Sequence, residues 1–334
     1  MRMRSDFCAF ILTHGRPDRV ITYKTLLRSG YTGKVFLVID DEDKTADEYR
    51  NRFGNIVLQF CKSKVAATLD DGDNSGSRVS TTYVRAALFD LAKDVGCKYF
   101  IQLDDDYTEF KFRFNACGEY FYRTFRKTCD KVFESLVDFL ESTTTLTVAM
   151  SQGGDFIGGG GPLALKRKAM NSFVCSTDRP WKCLGRMNED VSAYVVGNRA
   201  GDLFFTTTQV QIDQKQTQTN DGGMSQLYLE SGTYVKTFYS VLYAPSCVKV
   251  ATLSDPRSGQ TRIHHKINWH NTAPKILREK WRHPLTAEQN SRAQSLKPPE
   301  PCCLLESSPA LPLPLKSSAE QPSKRKGAAS KPQL

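Results

Sequence analysis

Short apolar runs alternate with amphipathic segments along the first hundred residues. Phe7–Leu12 is a continuous apolar run closed by Thr13-His14-Gly15-Arg16-Pro17-Asp18. An apolar run of this length bounded by turn formers reads as a strand buried on both faces. A helical stretch over roughly 19–28 follows and stops at Gly30. Val35–Ile39 predicts a second strand, ended by Asp40-Asp41-Glu42-Asp43. Ala46–Phe53 predicts a helix and Ile56–Phe60 a third strand, and the turn formers of 70–77 (DDGDNSGS) predict a loop. Val84, Leu88, Leu91 and Val95 share one face at helical spacing, Gly96 closes that helix, and Tyr99–Leu103 predicts a further strand. This β-α-β-α-β order predicts an α/β fold with a mostly parallel central sheet flanked by helices. From about Thr143 the pattern is mixed, with a strand over 146–150, glycine loops, a helix after Glu189, and strands near 203–212 and 247–253. No internal repeat is visible.

The pattern stops near Pro284. Nine of the fifteen prolines lie in 284–334, and 285–334 shows no periodicity and no aromatic residue, so it cannot bury enough surface to offset its ordering. The expected organisation is a folded domain over 1–284 and a disordered, Pro/Ser-rich C-terminal tail over 285–334, where Lys324-Arg325-Lys326 is too small a basic cluster to argue from. The 334 residues, 40% hydrophobic and 25% charged, exclude a collagen, a coiled coil and a wholly disordered chain. The tail carries seven basic and four acidic residues, which leaves +7 of the +10 net charge on 1–284. An excess of that size is a modest argument for a polyanionic partner, since it bears on association and little on fold and many basic proteins bind no nucleic acid. No apolar run approaches a membrane span. Phe7–Leu12 is too short for the core of a secretion signal, and the ten cysteines form neither a CxxC pair nor a regular framework. We therefore expect free thiols in a reducing compartment and no structural zinc.

Candidate chemistry gathers where the predicted strands end, which in open parallel sheets is where ligands bind. The strand Tyr99–Leu103, apolar apart from Gln102, runs into Asp104-Asp105-Asp106. Three adjacent carboxylates repel one another, and a hard divalent cation, Mg²⁺ or Mn²⁺, would offset that cost. Arg85, on the preceding helix, could support a site at these strand ends, but as a polar-face residue it needs no such role and is assigned none. The acidic pair Glu189-Asp190 opens a helix, where carboxylates also serve as first-turn residues.

The YFIQLDDD segment resembles the aspartate-x-aspartate motif of nucleotide-sugar glycosyltransferases with the GT-A fold. The ordered set ILTHGRP, VIDDED and FIQLDDDY is similar to the TET-associated glycosyltransferases of bacteriophages and eukaryotes, over about Phe7 to Arg282. The resemblance implies a GT-A-type fold and transfer of a sugar, glucose or another hexose, from a UDP-sugar. It implies Thr13, Gly15 and Arg16 near the donor's pyrimidine and ribose, Asp40 or Asp41 on base or ribose, and Asp104 and Asp105 on the donor. Asp104 and Asp106 would ligate Mn²⁺ or Mg²⁺. The ED motif of such enzymes implies Asp190 as general base, with Glu189 contacting the acceptor or the donor sugar. A late histidine often completes the metal site. Neighbours on an extended segment alternate sides, so only one of His264 and His265 can face it, and we take His265.

The phage relatives imply an acceptor, the hydroxyl of 5-hydroxymethylcytosine in DNA, and an intracellular enzyme, in host cytoplasm or, for a eukaryotic source, in the nucleus. Independent of the resemblance, Lys111, Arg113, Arg123, Arg126, Lys127 and Lys131 interleave with Phe112, Phe114, Tyr120, Phe121, Tyr122 and Phe125. Such a mixture suits phosphate contact and base stacking, although an amphipathic helix with solvated lysines gives the same pattern. The glycine run Gly158–Gly161 and the segment Gln152 to Phe156 suggest a sugar pocket or a mobile connector. Trp269 and Trp281 read as core aromatics. Three other readings stay open at this level: a glycosyltransferase acting on protein Ser/Thr, a divalent-metal nuclease or nucleotidyltransferase using Asp104–Asp106 and Glu189, and an inactive nucleic-acid-binding module.

Overall fold

The computed structural model describes residues 2–115, 117, 119–152, 163–164, 166–214, 235–254, 261–282 and 291. The expected tail (apart from Ser291), the glycine run Gly158–Gly161 and residues Asp155 and Phe156 lie outside these. The described elements fall within one compact unit, Met1–Pro298. In chain order they are β1 (Phe7–Leu12), α1 (Ile21–Arg28), β2 (Lys34–Asp40), α2 (Ala46–Phe53), β3 (Val57–Phe60), α3 (Lys62–Ala66), α4 (Thr82–Asp94), β4 (Tyr99–Asp104), β5 (Tyr107–Phe114), β6 (Tyr120–Thr124) and α5 (Cys129–Ser142). Then come β7 (Thr147–Gln152), β8 (Leu163–Ala164), β9 (Phe173–Ser176), α6 (Glu189–Arg199), β10 (Phe204–Gln214), α7 (235–243), β11 (Val248–Ser254), β12 (Thr261–Ile267) and α8 (Trp269–Thr272).

Ten strands form one sheet in the order β3-β2-β1-β4-β9-β7-β10-β5-β6, with β8 on β10. The run β3-β2-β1-β4 is parallel throughout, and β7, β10 and β6 point the same way, while β9, β5 and β8 run against them. The expected mostly parallel α/β sheet is thus what forms. Strand β1 shows why its sequence alternates nothing: Cys8, Phe10 and Leu12 enter the core shared with Leu88 of α4 and Tyr194 of α6, whereas Phe7, Ala9 and Ile11 enter the core shared with Tyr49 of α2 and Phe133 of α5. With helices on both faces, every residue of the strand is buried, at about 1.5–3 kcal/mol for each large side chain.

The chain leaves β1 toward β2 and β3 on one side and returns through α4 to β4 on the other. The β1–β4 boundary is therefore the topological switch point, where a crevice opens beyond the strand ends. Leu12 pairs with Asp104 across that boundary, which sets the loop after β1 against the aspartate triplet. A separate two-stranded ribbon, β11-β12, carries the late histidines. Among the described residues, no helix is long and apolar enough to cross a membrane.

Candidate active site

Thr13, the first residue beyond β1, donates its hydroxyl to Asp105 Oδ2 at 2.7 Å and shares a 2.6 Å hydrogen bond with the Tyr49 hydroxyl. Arg16 Nε lies 3.1 Å from the same Asp105 oxygen, and the Arg16 amide donates to the Tyr49 hydroxyl at 2.9 Å. Gly15 has φ +69° and its amide donates to Asp43 Oδ2 at 2.9 Å. A Cβ there would meet nothing within 4 Å, so the backbone conformation, not crowding, calls for glycine. Asp40, at the end of β2, accepts from His14 Nδ1 (2.8 Å) and from the buried Lys62 ammonium (3.3 Å). Burial alone would raise the Asp40 pKa, but those two cationic partners outweigh it and lower it, and the hydrogen bond to Asp40 raises that of His14. Asp41 is exposed and receives the Lys62 amide at 2.8 Å, which lowers its pKa. The sequence-predicted Thr13, Gly15, Arg16, Asp40 and Asp105 are thus brought together at one strand-end cluster, which His14, Asp43, Tyr49 and Lys62 complete.

The triplet itself is unequal. Asp105 is buried and held by Thr13 and Arg16; Asp104 takes Arg85 Nη2 at 2.9 Å. Asp106 is different: its Oδ1 is buried and has no hydrogen-bond partner among the described residues. Burial, followed by repulsion from Asp104 and Asp105, pushes the Asp106 pKa up to about 7. Backbone contacts make the loop rigid, since Thr22 Oγ1 donates to the Asp104 carbonyl (2.6 Å), the Thr22 amide to the Asp105 carbonyl (3.1 Å), and the Tyr107 amide to Thr22 Oγ1 (2.9 Å). A buried, unsatisfied carboxylate oxygen beside two more carboxylates fits a hard divalent cation. Among the described residues no group of three or more His, Cys, Asp or Glu closes around one point.

Arg85 links this loop to the acidic pair. It is 2% exposed and donates to Asp104 Oδ1, to Glu189 Oε1 at 3.1 Å and to Gln102 Oε1 at 3.2 Å. Burial opposes its charge, but Asp104, Glu189 and Asp190 outweigh that and its pKa is raised. The polar-face reading of Arg85 is therefore corrected. The helix is covered around most of its girth, with Tyr83, Arg85, Ala87, Leu88, Phe89 and Ala92 all buried. The available signal was Gln102, the one polar residue in an otherwise apolar strand, which needs a polar partner.

Glu189 is buried between Arg85 and Thr81, whose hydroxyl donates to the same oxygen at 2.5 Å. Asp190 is buried as well, and the Val191 amide donates to its Oδ1 at 2.8 Å. Burial and then the Glu189 charge push Asp190 up to about 7, against the pull of Arg85. Asn188 precedes the pair in the left-handed region (φ +56°) and its Nδ2 contacts Lys236 O, Ser240 Oγ and His265 Nδ1 at 3.1–3.2 Å. Burial, then His264, Lys236 and Lys168, lower the His265 pKa to about 3, which leaves a neutral imidazole. The acidic loop around 70–73 buttresses this segment: Asp73 binds Arg186 at 2.8 Å, Asp71 accepts from Tyr83, and the Gly185 amide donates to the Asp70 carbonyl.

The basic-aromatic cluster divides. Its first half is a hairpin, β5-β6, not an amphipathic helix. Lys111 is buried in ion pairs with Glu109 (2.8 Å) and Asp213, and Phe125 packs in the core. Tyr120 and Tyr122 are exposed, but β5 leads away from the triplet and Tyr120 pairs with Phe114 at its far end, about 25 Å along the strand. Arg123, Arg126, Lys127 and Lys131 are exposed. Trp269 stacks on Tyr194 and Trp281 donates to Asp202, both against the core as expected.

Carboxylates gathered beyond parallel strands at a switch point, joined through a buried arginine to a second acidic pair, belong to an α/β enzyme. Its class is given by the match of residues 7–223 to the TET-Associated Glycosyltransferase family. The chain belongs to that family and is a glycosyltransferase. Among solved structures it is similar to glucosyl-3-phosphoglycerate synthase from Mycobacterium tuberculosis, determined with Mn²⁺, UDP and phosphoglyceric acid. The identity is 8% and the TM-score 0.41, over 79% of this chain and 87% of that one. No curated protein matches the chain.

Proposed function

We propose that the protein transfers a hexose from a UDP-sugar to the hydroxyl of 5-hydroxymethylcytosine in DNA, assisted by Mn²⁺ or Mg²⁺. The observation that carries the metal and donor part is Asp106, whose buried Oδ1 lacks a partner at the switch point. In this reading Thr13, Gly15, Arg16, Asp40 and Asp41 flank the nucleoside, and Asp104, Asp105 and Asp106 face the diphosphate, with Asp104 and Asp106 as ligands. His265, neutral and tied to Asn188 beside the acidic pair, is the candidate further ligand. The cation, when bound, neutralises charge on the departing diphosphate. Asp190 accepts the proton of the acceptor hydroxyl as its oxygen bonds to the anomeric carbon. The bond from that carbon to the diphosphate oxygen breaks, and UDP leaves with the electron pair. A pKa near 7 suits Asp190 to this work at neutral pH, while Glu189, already engaged by Arg85 and Thr81, aligns the acceptor side.

The DNA acceptor is supported by the basic surplus of the folded part and by the phage members of the family the sequence resembles. The test supplies Mn²⁺ or Mg²⁺ and radiolabelled UDP-hexoses with 5-hydroxymethylcytosine DNA, unmodified DNA or protein. Label entering hydroxymethylated DNA alone is the expected result. Label on Ser or Thr of protein would move the acceptor, and no transfer from any UDP-hexose would overturn the donor assignment.

A further inference from the structure

Some exposed cations on this molecule pair with a carboxylate: Arg50 with Asp47, Lys93 with Asp90, Arg78 with Glu42 and Lys98 with Asp178. One contiguous region beside the aspartate triplet carries exposed cations that do not. Lys24 and Arg28 on α1, and Arg123, Arg126, Lys127 and Lys131 between β6 and α5, are exposed. Among the described residues none of these six forms an ion pair with a carboxylate. Helix α1 (ITYKTLLR) contains no acid, nor does 120–128 (YFYRTFRKT). Asp130 is buried and spent on Thr32, which it accepts from at 2.7 and 2.9 Å.

The two groups of cations form one surface. A Cβ on Gly30 would sit 2.3 Å from Lys127 Cα, and the Cys129 amide donates to the Ser29 carbonyl at 3.1 Å. The turn after α1 therefore lies directly against the turn before α5. The surface is also tied to the reaction centre. Thr22, at the start of α1, is bonded to the backbone of Asp104 and Asp105. Arg28 is six residues further on, about 9 Å along the helix axis. Its Nη2 donates to the carbonyl of Thr108, two residues past Asp106.

We infer that this surface, from Lys24 and Arg28 to Arg126 and Lys127, holds the phosphate backbone of the acceptor nucleic acid beside the transfer site. The inference deepens the proposed function and rests on its DNA acceptor. Cations without internal partners pay nothing to release a carboxylate when phosphate arrives, and the counterions set free from DNA drive binding. The site-proximal position makes the surface a guide for a strand whose modified base reaches Asp190, whereas the hairpin tip with Tyr120 is too remote to serve.

The test measures binding without donor, by fluorescence anisotropy of the full chain with a labelled duplex carrying 5-hydroxymethylcytosine, across 50–200 mM salt. The variant K24S/R28S/R126S/K127S is compared with the charge-preserving K24R/R28K/R126K/K127R. The serine variant should bind at least about tenfold more weakly at 50 mM salt, and its log–log salt slope should fall by about three to four. The charge-preserving variant should match the wild type, and hydrolysis of UDP-hexose in the absence of acceptor should be the same in all three. Equal affinity and slope in the serine variant would overturn the surface, as would a wild type that ignores DNA and instead binds phosphatidylserine vesicles through these residues. Weakened binding together with no sugar transfer to hydroxymethylated DNA would leave the surface standing and remove the acceptor chemistry.

Discussion

Arg85 is the residue whose loss the structure makes most costly. Replacing it with Met keeps much of the side-chain volume but strands Asp104 and Glu189 without their shared cation. Removing one partner of a buried ion pair costs about 3–5 kcal/mol. The lost hydrogen bond to Gln102 adds about 1 kcal/mol. The Asp104 side chain is a quarter exposed, so water recovers part of its share, and we expect about 3–4 kcal/mol at pH 7.5. With a urea dependence of roughly 3 kcal/mol per molar for a domain of this size, the unfolding midpoint falls by about 1 M. The penalty exists only while the carboxylates are charged. Without Arg85 the burial that raises the Asp104 pKa loses its main opposing charge, so the destabilisation fades as the pH drops below the ordinary carboxylate range, about 4. Glu189→Gln in the Arg85→Met background removes one stranded charge and should recover about 1–3 kcal/mol, a coupling that a double-mutant cycle reads directly. Urea titrations at pH 4 and 7.5 decide the matter. A loss below 1 kcal/mol at pH 7.5, or the same loss at both pH values, would refute the counter-ion account.

Asp106→Asn should abolish metal-dependent transfer yet stabilise the fold. Raising this carboxyl to about 7 corresponds to about 4 kcal/mol at most, and screening at a partly exposed carboxylate reduces the expected gain to roughly 1–3 kcal/mol. Because the folded pKa is the higher one, that gain grows from pH 4 to 7 and vanishes below; melting curves across this range, alongside a transfer assay, check both halves. Asp190→Asn should lower kcat by about two to four orders of magnitude while leaving the Kd for UDP-sugar unchanged in calorimetry; weakened donor binding would make it a binding residue. The wild-type rate should climb with pH through about 7, as the Asp190 carboxylate ionises, and a flat profile from 6 to 8 would count against a base with that pKa. His14→Ala should weaken the loop after β1, because Asp40 then loses one of its two cationic partners. The deficit should be largest below about pH 6.5, where the imidazole is charged in both states, and should shrink as the pH rises through its raised folded pKa.

The strand-end chemistry was legible because period and chemistry coincide there. Continuous apolar runs such as Phe7–Leu12 mark strands covered on both faces, and a carboxylate cluster after such a run stands out from solvated loops. Glu189-Asp190 was legible too, as an acidic helix start. What stayed hidden depended on long-range pairing. Arg85 and Glu189 are 104 residues apart, and nothing in the local pattern of α4 says that α6 will cover its polar side. Tyr49 and Lys62 were unreadable for the same reason, since each reaches the β1 loop from another crossover. The basic-aromatic segment divides for a related reason: it is near the triplet in sequence, but the antiparallel strand β5 carries Phe114 and Tyr120 away from it. Lys111, meanwhile, is consumed by Asp213, which arrives on β10 a hundred residues later.

The carboxylates at this sheet edge differ mainly in what already satisfies them. Asp40 has His14 and Lys62; Asp43 has the Gly15 amide and Thr45; Asp104 and Glu189 share Arg85; Asp105 has Thr13 and Arg16. Such groups hold the loops in register, and their pairing makes them poor proton acceptors. Among the described residues, Asp106 retains a buried oxygen without a partner, and Asp190 is held at Oδ1 only by the amide of the next residue. Both sit near pKa 7, and a fold tolerates that cost where an incoming ligand removes it. The chemistry should therefore be concentrated in these two residues. Substitutions at Asp40, Asp105 or Glu189 should act first on stability or substrate affinity, and those at Asp106 and Asp190 on turnover.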